Sequence, residues 1–359
     1  MRLPRLKLER VLVLTGRDAV KISAASIIVA FVIFSIFLLL EGADAIEAYR
    51  NIFSFAFNPR LGLVTTIHRS MFLLLVTLAF ILPLKTGFWN VGVQGQFYLG
   101  TVGAFAVAYA LGNLPAGVLI PLMMVAASLF GAGYGAIAGF LKEKWGVNEV
   151  VLTIMLNNIA FWLIYCLVIG GPWMGISESE SRSLPASAMA PTIGKIPFTV
   201  PLAIALSVIF YFLLTKSSIG YQIRCYGSNP SAAKYAGMNP LKLLIFVTAI
   251  GGAIAGLSAY HMWAGDPSFG RIPRPEGYMG IGDFTFWGII VGLVCLLNPI
   301  AAIPASIFIG SLREGGAILV RRLGLTFGLD NVFVGILFLT FVAFQFFHRY
   351  KIIRVKKRG

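Results

Sequence analysis

The polar residues within the apolar runs of this chain are mostly amides. Asn90, Gln94 and Gln96 sit in "GFWNVGVQGQFYLG", beside Gly92 and Gly95 and directly after Trp89; Asn148, Asn157 and Asn158 sit in "GVNEVVLTIMLNNIAFW". An amide offers donors and an acceptor without charge, which suits recognition of a neutral hydroxylated solute or a nucleobase in passage. The competing role is to bond helices together, at about 0.6–2 kcal/mol each. For Asn157 and Asn158 the bonding role is favoured. For Asn90, Gln94 and Gln96, in a glycine-interrupted segment, lining of a solute path is favoured. Trp89 fits an interfacial anchor or a pathway wall equally well. Glu149 and Asp283, near the ends of apolar runs, read as helix-end caps.

Other chemistries lack their residues. No G-x-x-x-x-G-K-[ST] pattern occurs; Gly194-Lys195 is followed by Ile196 and Pro197, so the chain has no such nucleotide-hydrolysing loop. His68, His261 and His348 are scattered, and Cys166, Cys225 and Cys295 have no metal or redox spacing, which argues against a metal site and for structural thiols. No nucleophile elbow or close pair of carboxylates falls within one apolar segment. A membrane enzyme is therefore disfavoured. A gradient-driven carrier is the alternative function, but it calls for buried acids or histidines in series. Here only Glu149, Asp283 and Glu314 approach the runs, near their ends.

The elements that must position the amides follow from composition. The chain has 359 residues, 58% hydrophobic and 12% charged, with a mean hydropathy of +0.85. That composition predicts an all-α, polytopic membrane helix bundle. Ten apolar runs are expected as spans, at 22–40, 67–84, 97–111, 116–141, 150–170, 198–214, 243–264, 284–297, 300–312 and 331–347. The first run is too long for a signal-peptide core of about 7–15 residues and reads as an uncleaved span. The net charge of +15 comes without a nucleic-acid-binding motif, and its cations gather at segment ends. With ten spans, nineteen cations fall on the face that holds both basic tails (1–21 and 348–359) and nine on the other. The first face is thus assigned to the cytoplasm, with the transmembrane bundle at 22–347.

Two runs are short, 97–111 and 284–297. Each follows a Gly-punctuated entry ("NVGVQGQ", "GYMGIGD") and precedes an Asn/Pro break and a run containing Pro121 or Pro304. This predicts unwound entries and an inverted repeat, the usual pointer to a transport path. Gly131, Gly135 and Gly139, like Gly252 and Gly256, recur every four residues and predict close helix contacts.

One polar stretch interrupts the lipid-compatible sequence. In "GYQIRCYGSNPSAAKYAGMNP", Asn229 reads as an N-cap, Pro230 as the first helical position, Ser231, Ala232, Ala233, Lys234, Tyr235 and Ala236 as the helix, and Gly237 as its left-handed stop. A helix of two turns is marginal alone. Its small face suits docking into a groove of another protein.

That stretch, within 216–242, resembles the cytoplasmic coupling segment of permease subunits of ABC importers for branched-chain amino acids, simple sugars and nucleosides. "GFWNVGVQGQFYLG" is similar to that family's "FNIGVEGQ" motif, and the segment around Asn157 and Asn158 to its span-five motif. The resemblance covers about residues 60–345, with the nucleoside and simple-sugar branch nearest. It implies a type II importer fold, a second and often different permease subunit, and two cytoplasmic ATPase subunits that use ATP and magnesium. It also implies an extracellular solute-binding protein, and no cofactor on this chain. Position 94 departs from the motif: it is Gln where the family commonly has Glu, so any role that needs the acid is altered here.

Overall fold

The computed structural model describes residues 6–10, 16–176, 179–266, 270–323 and 329–354. Each of the ten apolar runs lies on a helix: α1 (Gly16–Leu40), α3 (Leu63–Leu84), α4 (Val93–Leu111), α5 (Ala116–Trp145), α6 (Glu149–Val168), α7 (Thr199–Lys216), α10 (Pro240–Ala264), α11 (Pro275–Val294), α12 (Pro299–Leu323) and α13 (Leu329–Arg349). Six of them, α1, α3, α5, α6, α7 and α10, are long and apolar enough to cross a membrane. Three further helices are amphipathic or polar: α2 (Ala45–Ala56), α8 (Ser218–Ser228) and α9 (Pro230–Tyr235).

Local chemistry sets several boundaries. Asp44 accepts from the amides of Ile46 (2.7 Å) and Glu47 (2.9 Å) and opens α2. Asn148 does the same for α6 through Val150 and Val151, and Asn239 for α10 through Lys242, with Pro240 at the first position. These side chains satisfy donors that a helix start leaves unpaired. Gly146, at φ +64°, ends α5 in the left-handed region where a side chain is disfavoured.

The chain divides into two compact units, residues 1–62 with 311–359 and residues 63–310, a division the apolar runs do not announce. In the first unit, α1, α2 and α13 enclose an aromatic cluster. Phe333 stacks on Phe34 at 4.3 Å and meets Phe31 edge-on at 5.1 Å, with Tyr49 alongside. Two stretches expected only as parts of basic tails form an antiparallel ribbon of β1 (Leu6–Arg10) and β4 (Tyr350–Arg354), with Leu6 opposite Arg354; β2 (Thr192–Ile193) and β3 (Ile196–Pro197) form a short hairpin before α7.

In the second unit, α3 and α10 form the centre, buried over 83% and 72% of their apolar stretches, against 28% for α5 and α6. The glycine ridges make this possible. A Cβ at Gly131 would lie 3.0 Å from Cα and N of Gly256 and nearer still to the Gly252 carbonyl oxygen, and one at Gly139 would press on Thr248. α5 and α10 therefore touch backbone to backbone, as the four-residue spacing predicts. Near one end of this pair, His68 of α3 and His261 of α10 stack at 4.4 Å, and each Nε2 bonds the other's carbonyl oxygen at 2.9 Å.

Two expectations need correction. α4 and α11 are 19 and 20 residues long, not the short runs of 97–111 and 284–297. "GYMGIGD" is helical throughout, and in "NVGVQGQ" only Asn90–Gly92 precedes the helix. Glycine costs about 1 kcal/mol in a helix, and close packing outweighs it. Gly282, for example, lies where any Cβ would collide with the Tyr98 ring and hydroxyl.

Candidate functional site

The amides meet where α4 crosses α6 and α11. α4 begins at Val93 with no side-chain cap of its own. Asn157 of α6 supplies one: its Oδ1 accepts from the Gly95 amide at 2.7 Å, and its Nδ2 donates to the Val91 carbonyl at 3.0 Å. Both ends of the amide are thereby used to hold α4 to α6. Gly92 and Gly95 permit the approach, since a Cβ would lie 2.9 Å from Thr153 Cβ or from Asn157 Oδ1.

Asn90 and Gln96 pair with each other, Nδ2 to Oε1 and Nε2 to Oδ1, both at 3.0 Å, and both are fully buried. A reciprocal amide pair has little capacity left, and Asn90 also approaches the Ala79 carbonyl at 3.4 Å. Trp89 lies apart, 42% exposed and edge-on to Phe80.

Gln94 faces the other way. Its Nε2 donates to the Tyr98 hydroxyl at 3.0 Å and to Asp283 Oδ1 at 3.1 Å. Gln94, Tyr98, Asn157, Asn158 and Asp283 line a recess of about 150 Å³, with Phe161 among its apolar walls. Asn158 donates to its own helix at Ile154 O (3.0 Å), which leaves its carbonyl as an acceptor. The recess thus collects acceptors: the second Asp283 oxygen and the side-chain carbonyls of Gln94 and Asn158. Such a set receives donors from a solute, and the aromatic rings offer an apolar face beside it.

Asp283 is not the helix-end cap that its sequence position predicts. α11 starts at Pro275, so Asp283 stands inside the helix and points to Gln94. Glu149 does open α6, but Asn148 is the cap, and Glu149 pairs instead with Lys142 at 2.6 Å. No signal in the sequence joins Gln94 to a residue 189 positions away.

The polar stretch folds as its punctuation predicts. Asn229 Oδ1 accepts from the Ala232 amide at 3.0 Å, Pro230 opens α9, and Gly237 stands at φ +81°. The Met238 amide returns to the Ala233 carbonyl at 3.1 Å, a Schellman-type end. Ala236 caps the helix rather than extending it. α8, which no apolar run announces, leads straight into Asn229, and its Tyr226 hydroxyl reaches Glu143 of α5 at 3.3 Å. Burial, with the Glu143 charge added, pushes that phenol up to about 12. Tyr235 projects from α9, 94% exposed, while Ala233 is packed beneath.

The sequence pattern described as "branched-chain amino acid transport system / permease component" matches residues 62–342. A glucose ABC transporter permease protein of Haloferax volcanii is 29% identical over 350 residues, covering 93% of this chain and 90% of its own. A nucleoside ABC transporter permease protein of Lactococcus lactis is 27% identical, covering 81% and 82%. A guanosine ABC transporter permease protein of Bacillus subtilis is 27% identical, covering 93% and 96%.

Proposed function

We propose, from the premise that this chain belongs to the family of permease components of branched-chain amino acid transport systems, that it is the membrane-spanning subunit of an ATP-driven importer of nucleosides or simple sugars. The names of its full-length relatives support this class of solute. The observation that carries the reading on this chain's own residues is the recess beside Gln94, where one carboxylate and two amide carbonyls stand among aromatic rings. Sugar hydroxyls and nucleobase N–H groups are donors of the kind that set receives.

In this reading Gln94, Asn158 and Asp283 face the solute. Asn157, Gly92 and Gly95 fix α4 against α6, the Asn90–Gln96 pair backs the wall, and Trp89 stands apart from the recess as an exposed anchor. All ten long helices cross the bilayer, with α4–α5 and α11–α12 as the inverted repeat. Both chain ends face the cytoplasm, and the pairing of β1 with β4 supports their lying on one side. α9, from Asn229 to Gly237, seats in a groove of a cytoplasmic ATPase subunit, with Tyr235 as its exposed anchor. Two such subunits, a second permease subunit and an extracellular binding protein complete the assembly. ATP and magnesium belong to the ATPases, and this chain contributes no hydrolytic residue. Closure of the ATPases moves α9 as a lever, and the recess alternates its access.

Uptake into vesicles by the reconstituted complex tests this reading. Deletion of Ser231–Ala236 should abolish ATP-dependent uptake while leaving the chain in the membrane. Undiminished ATP-driven uptake by the deletion would remove α9 from the coupling path.

A further inference from the structure

A second recess, of about 250 Å³, lies at the far end of α3, between α7, α8 and the turn that joins α11 to α12. Lys85 and Arg224 both line it, with Asn298. No carboxylate does. Neither cation forms an ion pair or a side-chain hydrogen bond among the described residues, whereas Lys142 and Arg271 elsewhere have acidic partners. Burial lowers the Lys85 ammonium below its ordinary range; the Cys295 thiol opposes this, and the Arg224 charge adds to it. Two like charges held at one partly buried recess are a cost unless something anionic joins them.

The framework keeps them there. A Cβ at Gly227 would collide with the Lys85 carbonyl, so α8 is packed backbone to backbone against the residue that carries the charge. Leu296 and Leu297, which also line the recess, stand at φ 54° and 57°. That region disfavours a branched side chain, and here it curls the turn around the opening. Asn298 uses its Oδ1 to cap α12 through the Ile300 amide at 3.0 Å, which leaves its amide N–H groups as donors. The remaining walls are apolar or aromatic apart from Thr215, whose hydroxyl donates to the Tyr211 carbonyl of its own helix. They continue along α7 from Thr215 and Tyr211 to Val208, 37% exposed, while Leu296 on the opposite wall is 39% exposed.

We infer that this recess binds a phosphate group, with Lys85 and Arg224 supplying charge and Asn298 a neutral donor. Cations bind phosphate oxygens as point charges or forks, and a basic pocket between membrane helices suits a phospholipid headgroup, whose acyl chains would follow the apolar stripe of α7. A free phosphate anion offers the same chemistry, so the experiment separates the two. The inference rests on this recess alone and does not depend on which solute the chain transports.

Native mass spectrometry of the full chain in detergent measures retention of phosphatidylglycerol against phosphatidylcholine, and calorimetry measures inorganic phosphate. Lys85→Gln with Arg224→Gln should weaken phosphatidylglycerol binding about thirtyfold, or ~2 kcal/mol at roughly 1 kcal/mol per charge. Lys144→Gln with Lys195→Gln, an equal charge change elsewhere, should leave it intact. Lys85→Arg with Arg224→Lys should restore it, which separates lost charge from lost fold. If inorganic phosphate binds the wild type and not the double variant while the lipid fails to compete, the phosphate site stands with a soluble source. Equal retention of lipid and phosphate by the wild type and the Lys85→Gln, Arg224→Gln variant would overturn the assignment.

Discussion

Replacing Gly131 by alanine tests the packing on which the candidate site depends. The methyl carbon would sit 3.0 Å from the Cα and N of Gly256 and closer to the Gly252 carbonyl oxygen. Ordinary carbon-to-carbonyl contacts lie at about 3.3–3.6 Å, so α5 and α10 must part by roughly 1 Å. Neither neighbour is a flexible side-chain tip; both are backbone of α10. Overpacking of this kind costs about 1–3 kcal/mol. Gly133, two residues along the same helix, has nothing within 4 Å of its position. Alanine improves helix propensity by about 1 kcal/mol at either site, so that gain cancels in a comparison of Gly131→Ala with Gly133→Ala. The difference isolates the clash. Thermal unfolding of the purified chain in detergent should place Gly131→Ala roughly 2–12 °C below Gly133→Ala, at about 2–4 °C per kcal/mol. Equal midpoints, or a higher one for Gly131→Ala, would show that α5 and α10 do not meet along this ridge.

Three further substitutions address the recess. Asp283→Asn keeps an acceptor for Gln94 and removes the charge; uptake by the reconstituted complex should fall about tenfold at unchanged midpoint, for a charged hydrogen bond of roughly 1.5 kcal/mol lost to the solute. Gln94→Glu sets a second carboxylate within hydrogen-bond range of Asp283 and replaces a donor by a charge; uptake assays should show a loss, and wild-type rates would place the two side chains further apart. Asn157→Ala leaves the Gly95 amide and the Val91 carbonyl unpaired, and its melting curve should report a loss of about 1–3 kcal/mol for each group.

Much of this was legible in the sequence because it is local. Asn229, Pro230 and Gly237 fix α9 through contacts spanning a few residues, and the four-residue glycine spacing announces which face of α5 meets a neighbour whoever that neighbour is. α8 escaped because "GYQIRCYGS" has two glycines and no apolar run. Its helix is held by Ser217, whose hydroxyl accepts from the Gly220 amide at 2.9 Å, and by burial of Ile223 and Tyr226. The same weakness misplaced the starts of α4 and α11, where glycines suggested unwinding. Glycine raises the cost of a helix without forbidding it, and the packing that repays the cost is made by residues far along the chain.

The amides show where composition ceases to decide. Asn90, Gln94, Gln96, Asn157 and Asn158 are chemically near-equivalent, yet the structure gives them different tasks, and the difference lies in partners. Gln96 finds Asn90 six positions away and Asn157 finds the α4 amides, so their capacity is spent within the fold. Gln94 finds Asp283, 189 residues on, and keeps a carbonyl unspent. A glutamate at 94 would face that same aspartate as a like charge, so glutamine at this position and aspartate at 283 are explained together: the recess holds one negative charge, and the amide beside it orients that charge without competing for it.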